Sequence, residues 1–157
     1  LSEIKGIGKA KAVELLASIE LGKRVFHLKD KKEMIFDTTD KIYEFFKYEF
    51  ILEKQEKFYA VYLDAKCKLI SYKNLFTGSI SSSVIHPREI FKGAFNESAS
   101  SIICIHNHPS GDVTPSQTDI EITNNLIEIG KIMGIQVLDH IIIGDNKYYS
   151  FYKKMNK

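Results

Sequence analysis

The sequence predicts a layered α/β domain, of the α/β or α+β kind, and three observations carry that prediction. Short β-branched or aromatic runs near 58–63, 69–75, 101–108, 135–143 and 147–151 read as strands, and helical patterns lie between several of them. Two of those helices have proline near their first turn, Pro87 and Pro115, where a missing backbone N–H costs little. The chain has 157 residues, of which 44% are hydrophobic and 27% charged, the composition of an ordinary globule long enough for one domain and a small appendage. A chain this long buries about two thirds of its unfolded surface, so a metal here would serve chemistry and not folding.

In chain order, residues 1–24 read as a helix end, a Gly6-Ile7-Gly8 hairpin and a periodic helix through Val13, Leu16, Ala17 and Leu21. Residues 25–37 lose that period and gain charge, which predicts a connector. Asp37 or Thr38 then caps a helix to about Phe50. The runs 58–63 and 69–75 predict a hairpin across 64–68, and Pro87 opens a short helix. Residues 101–108 are a mostly apolar strand ended by Pro109. Thr114 followed by Pro115, with Gln117 in the capping-box position, opens a helix that lasts to Gly134. The strands 135–143 and 147–151 then flank a Gly144-Asp145-Asn146 turn, and no internal repeat is visible.

Composition excludes several functions. Lys and Arg number 22 against 20 Asp and Glu, and a net charge of +2 makes no broad electrostatic case for nucleic acid; any DNA contact is local. No run approaches about eighteen apolar residues and no signal-peptide order is present, which predicts a soluble protein with no membrane partner. Two cysteines, Cys67 and Cys104, are too few for a disulfide framework and favour a reducing, cytoplasmic compartment. The chain starts at Leu1 without an initiator Met, so it reads as a piece of a longer protein.

The chemistry concentrates in HNHPSGDVTPSQTD, residues 106–119. Alternate residues of a strand share a face, so His106 and His108 point one way and Asn107 the other. Asp119 follows in the first turns of the next helix, with Ser116 three residues before it on the same face. Two imidazoles and one carboxylate form a three-ligand zinc set that leaves a fourth position for water, the pattern of a catalytic site; a structural site closes that position, usually with cysteine. The letters HNH are no sign of the HNH nucleases, whose namesake residues are spread along a different fold.

These residues carry a resemblance. His106-x-His108-Pro109, Ser116 and Asp119 match every fixed position of the JAMM motif of MPN-domain metalloproteases. The segments EKFYAVYLDAK, LFTGSISSSVIHPREIFKGAF, HNHPSGDVTPSQTD and VLDHIIIGDNKYYSF resemble the bacterial RadC-like family in order, and KGIGKAKAVELLASIELGKR is similar to the helix-hairpin-helix segment that precedes the domain there. The resemblance implies an MPN/JAMM-like mixed sheet flanked by helices over 34–157, preceded at 1–24 by the C-terminal part of a helix-hairpin-helix module. It also implies that His106, His108 and Asp119 bind zinc, that Ser116 positions the water or the oxyanion, and that an upstream Glu is the general base. Glu56, just ahead of FYAVYL, fits that base; Glu53 and Glu49 are the runners-up.

The expected function is a zinc-dependent hydrolase of peptide or isopeptide bonds. One rival is a DNA-associated repair or recombination protein whose metal site is structural. The other is a metal-dependent nuclease, although such enzymes often use several carboxylates or two metals. DNA contact would fall to Lys5, Lys9 and Lys11 around the Gly6–Gly8 hairpin, whose backbone amides can hold a phosphate; the alternative is a hairpin whose glycines serve packing. Asp139 and His140 either adjoin the site or form a buried polar pair, and stay outside the ligand set. His86 and His27 read as surface or capping residues, Cys104 as a buried thiol, and Phe45, Phe46, Tyr48 and Phe50 as core or interface.

Overall fold

The strand and helix runs assemble into one mixed sheet with helices on both faces. The computed structural model describes residues 4–30, 34–51, 53–78 and 85–155, and divides into two compact units, Leu1–Lys31 and Lys32–Lys157. In the first unit, Ile7 N–H donates to the Ile4 carbonyl in a turn where Gly6 adopts φ +92°, and helix α1 follows over Lys9–Asp30. The connector expected from residue 25 therefore begins later than the sequence suggests. VFHLKD contains neither Gly nor Pro, and its charges do not break a helix already running. The helix expected ahead of the hairpin falls partly on residues 1–3, outside the described residues.

In the second unit, the Thr38 side chain accepts from Lys41 N–H and caps α2, Thr39–Phe46, which tightens into a 3-10 turn at Lys47–Glu49. Strands β1 (Glu56–Leu63) and β2 (Leu69–Gly78) form the expected antiparallel hairpin, and α3 (Pro87–Asn96) has its proline in the first turn. Strand β3 (Ser101–Asn107), helix α4 (Gln117–Met133) and strand β4 (Gln136–Ile143) form a parallel crossover, with Gly134 closing α4 in the left-handed region. The last strand, β5, covers only Tyr148–Ser150, because Ser150 Oγ accepts from Lys153 N–H and starts helix α5 at Phe151–Met155.

The strand order is β2-β1-β3-β4-β5, which puts β3 in the middle, with all seven of its residues buried. Strand alternation then sorts the core into two layers. Tyr59, Val61, Leu63, Ile103, Ile105, Ile141 and Ile143 pack beneath the aromatic run Phe36, Phe45, Phe46 and Phe50. On the other face Phe58, Ala60, Tyr62, Ile102 and Cys104 pack against Ile90 and Phe91 of α3 and Ile122 and Leu126 of α4. Each large apolar side chain buried this way stabilises the fold by about 1.5–3 kcal/mol relative to exposure. The aromatic run expected as core or interface is core at Phe45, Phe46 and Phe50, while Tyr48 is exposed.

Candidate metal centre

The end of the central strand carries the two histidines. His108 lies one residue past β3, but its N–H still donates to the Ile143 carbonyl at 2.9 Å, so strand alternation continues through it. His106 and His108 thereby face the α3/α4 layer, and their Nε2 atoms come within 3.1 Å of each other. Asp119 completes the group, with Oδ1 3.3 Å from His106 Nε2 and Oδ2 3.6 Å from His108 Nε2. One ligand atom from each of the three lies within 4.8 Å of the others. His106 and Asp119 are buried, while the half-buried His108 forms the side nearer solvent.

Asp119 reaches this point because it helps cap its own helix. The cap of α4 is Ser116, two residues beyond the expected Thr114. Ser116 Oγ accepts from Asp119 N–H, and Asp119 Oδ2 accepts from both Ser116 N–H (2.8 Å) and Ser116 Oγ–H (2.6 Å). Asp119, not Gln117, fills the capping-box position: the Ser116/Asp119 pair satisfies two orphan N–H groups reciprocally, and Gln117 is the first helical residue. The Ser116 hydroxyl is thus engaged with the carboxylate that stands beside the two imidazoles.

Hydrogen bonds determine what the rings present. His108 Nδ1 lies 2.6 Å from the Asp112 carbonyl, which can only accept, so Nδ1 carries a proton and Nε2 turns inward. His106 Nδ1 lies 2.8 Å from His140 Nε2, so its Nε2 also turns inward. Burial pushes the His106 imidazole below its ordinary pKa, whereas the Asp119 hydrogen bond raises that of His108 against its partial burial. Burial pushes the Asp119 carboxyl up, but the two adjacent imidazoles, His106 first, outweigh it and hold the group well below the carboxylate range. Two inward nitrogens and a carboxylate call for positive charge at one point, and that donor set fits a zinc ion of the two-imidazole, one-carboxylate type.

The glutamate predicted as base stands at the rim of this face. Glu56 is the first residue of β1, and Phe58, two residues on, pairs with His106 and stacks on its ring at 6.1 Å. Alternation therefore puts Glu56 on the same face as the imidazoles, and its charge adds a smaller push toward protonation of both. Glu53 instead pairs with Lys57 Nζ at 2.7 Å, and Glu49 accepts from Tyr72 Oη. Asn107 points away from the histidines, as its place in the strand predicts, and brackets Glu56. Its Oδ1 accepts from Lys57 N–H at 2.7 Å, and its Nδ2 donates to the Gln55 carbonyl at 3.1 Å. Beside His108 a cleft of about 610 Å³ opens, bordered by Tyr48, Phe50 and Glu53 and by the loops at 109–111 and 144–146.

Sequence reasoning left two participants out. Strand β4 splits the Asp139-His140 pair between faces: His140 reaches His106, while Asp139 binds Ser150, Tyr152 and Thr39 on the opposite layer. Thr123, 2.6 Å from His140 Nδ1, was not singled out, although its spacing of four from Asp119 on a helix was the available signal. Cys104 is buried as expected; burial and the charge of Asp139 push its thiol up to about 12.

A mixed sheet whose central strand ends in His-x-His, with an aspartate supplied by the capped helix that follows, defines an α/β domain with a candidate single-metal centre. Residues 36–156 match the family described as the RadC-like JAB domain, and the chain belongs to that family. It is similar to UPF0758 proteins of Bacillus pumilus, 47% identical, of Halalkalibacterium halodurans, 44% identical, and of Geobacillus, 46% identical. Each match covers 98% of this chain and 69%, 66% and 68% of the respective relative, so the chain spans about two thirds of their length. No helix among the described residues is long and apolar enough to cross a membrane.

Proposed function

We propose that the domain is a zinc-dependent hydrolase of amide bonds, peptide or isopeptide, with His106, His108 and Asp119 as the metal ligands. The observation that carries this reading is the convergence of two imidazole Nε2 atoms and one carboxylate on one point, with a further carboxylate, Glu56, on the same face. When bound, zinc lowers the pKa of a water to about 7 and polarises a carbonyl. Glu56 takes the proton of the attacking water and returns it to the leaving amine. Asn107 holds the backbone on both sides of Glu56, which fixes the approach of that carboxylate. Ser116, whose O–H donates to Asp119 Oδ2, can turn that O–H toward the oxyanion as the carbonyl becomes tetrahedral.

A second proposal concerns the first unit. Lys5, Lys9 and Lys11 are all exposed around the positive-φ turn at Gly6 and the start of α1, an arrangement that supports contact with a DNA phosphate. Neutralising the three lysines should then weaken duplex binding uniformly across sequences and lower its salt dependence. Unchanged affinity would leave Gly6 as the residue that permits the φ of +92° in this turn, with no phosphate bound there.

Metal analysis of protein purified without added zinc, followed by assay on a panel of peptides and isopeptide-linked substrates, tests the main reading. Stoichiometric zinc together with amide cleavage is expected. Full zinc without cleavage of any amide would move the centre to a structural role in a DNA-associated protein, and cleavage of a phosphodiester would make it a nuclease.

A further inference from the structure

We propose that Thr123 and His140 are positioning residues that determine which nitrogen of His106 is left bare toward the metal centre, an inference that rests on the metal-hydrolase reading above. It starts at a carbonyl. Thr123 Oγ1 lies 2.6 Å from the Asp119 carbonyl and 2.6 Å from His140 Nδ1. A carbonyl oxygen only accepts, so the single hydroxyl proton goes to it, and the hydroxyl oxygen is left to accept from the imidazole. Reversing the order would leave two oxygens 2.6 Å apart with no proton between them. His140 therefore carries its proton on Nδ1.

The next step is set by burial. His140 is 1% exposed, with Phe151 stacked on its ring at 5.2 Å and Phe58 edge-on at 5.5 Å. A ring packed among aromatics, with its two nitrogens facing a hydroxyl and another imidazole, is neutral, so its Nε2 holds a lone pair. That lone pair lies 2.8 Å from His106 Nδ1, which must donate to it. A neutral His106 with its proton on Nδ1 has a bare Nε2, the atom that faces His108 and Asp119.

The relay forms a closed circuit through one residue. Asp119 supplies the carboxylate beside His106, and its own carbonyl, one turn of helix from Thr123, begins the chain of donors that orients His106. The two histidines are thus oriented by different devices. His108 uses a backbone carbonyl four residues away at Asp112, whereas His106 depends on side chains from α4 and β4. A hydroxyl on α4 sets the tautomer of a ligand on β3 without touching it. Partners of this kind fix ring orientation and basicity, and their loss typically costs about 10- to 100-fold in metal affinity.

Nitrogen-15 correlation spectra of the imidazoles, recorded on the metal-free and zinc-titrated chain, test the relay. In the metal-free wild type His106 should carry its proton on Nδ1. Thr123→Val keeps the side chain's volume and removes the oxygen, and should give a mixture of His106 tautomers with zinc affinity about 10- to 100-fold lower. Thr123→Ser restores the oxygen and should recover both. A wild-type His106 protonated on Nε2 overturns the relay whether or not the Val variant folds. So does a Val variant with unchanged tautomer and unchanged zinc affinity. A wild type with the expected tautomer that binds no zinc supports the relay and overturns the hydrolase reading.

Discussion

Asp119 and Asp139 are both buried carboxylates, on opposite faces of the same sheet, and their neighbours differ in kind. Asp139 is met by donors: Ser150 Oγ at 2.7 Å, Tyr152 N–H at 3.0 Å and Thr39 Oγ1 at 3.3 Å. Among the described residues Asp119 takes donors only on its Oδ2 edge, from Ser116, and on the other edge it meets an imidazole whose proton is directed elsewhere. A buried carboxylate surrounded by donors is a completed structural network. One whose neighbours are themselves acceptors needs a cation. Consecutive residues of β4 serve the two arrangements, Asp139 in the first and His140 behind the second.

The strongest test of this contrast pairs two truncations. His108→Ala removes an acceptor from the convergent site and should abolish stoichiometric zinc and all turnover, while thermal unfolding shifts less than for a fully buried side chain, because this ring lies at the solvent side of the site. Asp139→Ala should do the reverse. It leaves three donors without their acceptor and costs about 3 kcal/mol of stability, with zinc content retained. Metal analysis and denaturant unfolding on both variants decide the matter; loss of zinc from Asp139→Ala would mean that the two networks are one.

A smaller effect separates binding from chemistry. Glu56→Gln keeps shape and hydrogen bonding but cannot take a proton, so turnover should fall by about a hundred- to ten-thousand-fold with zinc unchanged. Asn107→Ala releases the backbone on both sides of Glu56 and should lower kcat by about tenfold, again with zinc retained. If Glu53→Gln is inactive and Glu56→Gln is not, the base is misassigned, although Glu53 is already paired with Lys57.

Titration of Asp139 is smaller still, and its sign is opposite to that of a salt-bridged carboxylate. Burial raises this carboxyl above its ordinary 3.8, so the native chain holds the proton to higher pH than the unfolded chain does. Its contribution is fully present below 3.8 and is lost as pH rises through the elevated native value. Asp139→Asn removes the group from that balance. The difference in unfolding free energy between the two proteins should therefore change across the acidic range above 3.8 and level off beyond it. A flat difference would mean that the donors around Asp139 cancel its burial.

How far this was legible in the sequence follows from which residues act locally. Strand alternation was enough to put His106 and His108 together and Asn107 opposite, since those directions depend on one strand alone. The cap stands two residues beyond the one the sequence suggests, because Thr114 and Ser116 are equally good caps by type and only the reciprocal bonds of Asp119 distinguish them. The relay was beyond reach for a different reason. Cys104 pairs with His140 in the parallel register of β3 and β4, and that register is set by a crossover that one sequence does not reveal. The end of α1 is illegible because gain of charge without a helix-breaking residue does not stop a helix.

The smallest predicted effect concerns Cys104, which lies beside His140 in that register and two residues before His106 on the same face. Its burial, together with the charge of Asp139, pushes the thiol up to about 12. At pH 8 only about one molecule in ten thousand would hold the thiolate that reacts with an alkylating reagent. Cys67, in the β1–β2 turn, is half exposed. Native protein should therefore label at one thiol per chain and release the second only on denaturation, a count that mass spectrometry reads directly. Equal labelling of both cysteines in the native state would mean that the layer behind His106 opens on the timescale of the reaction. The packing that holds His140 against Phe58 and Phe151 would then be too loose to impose a tautomer on its neighbour.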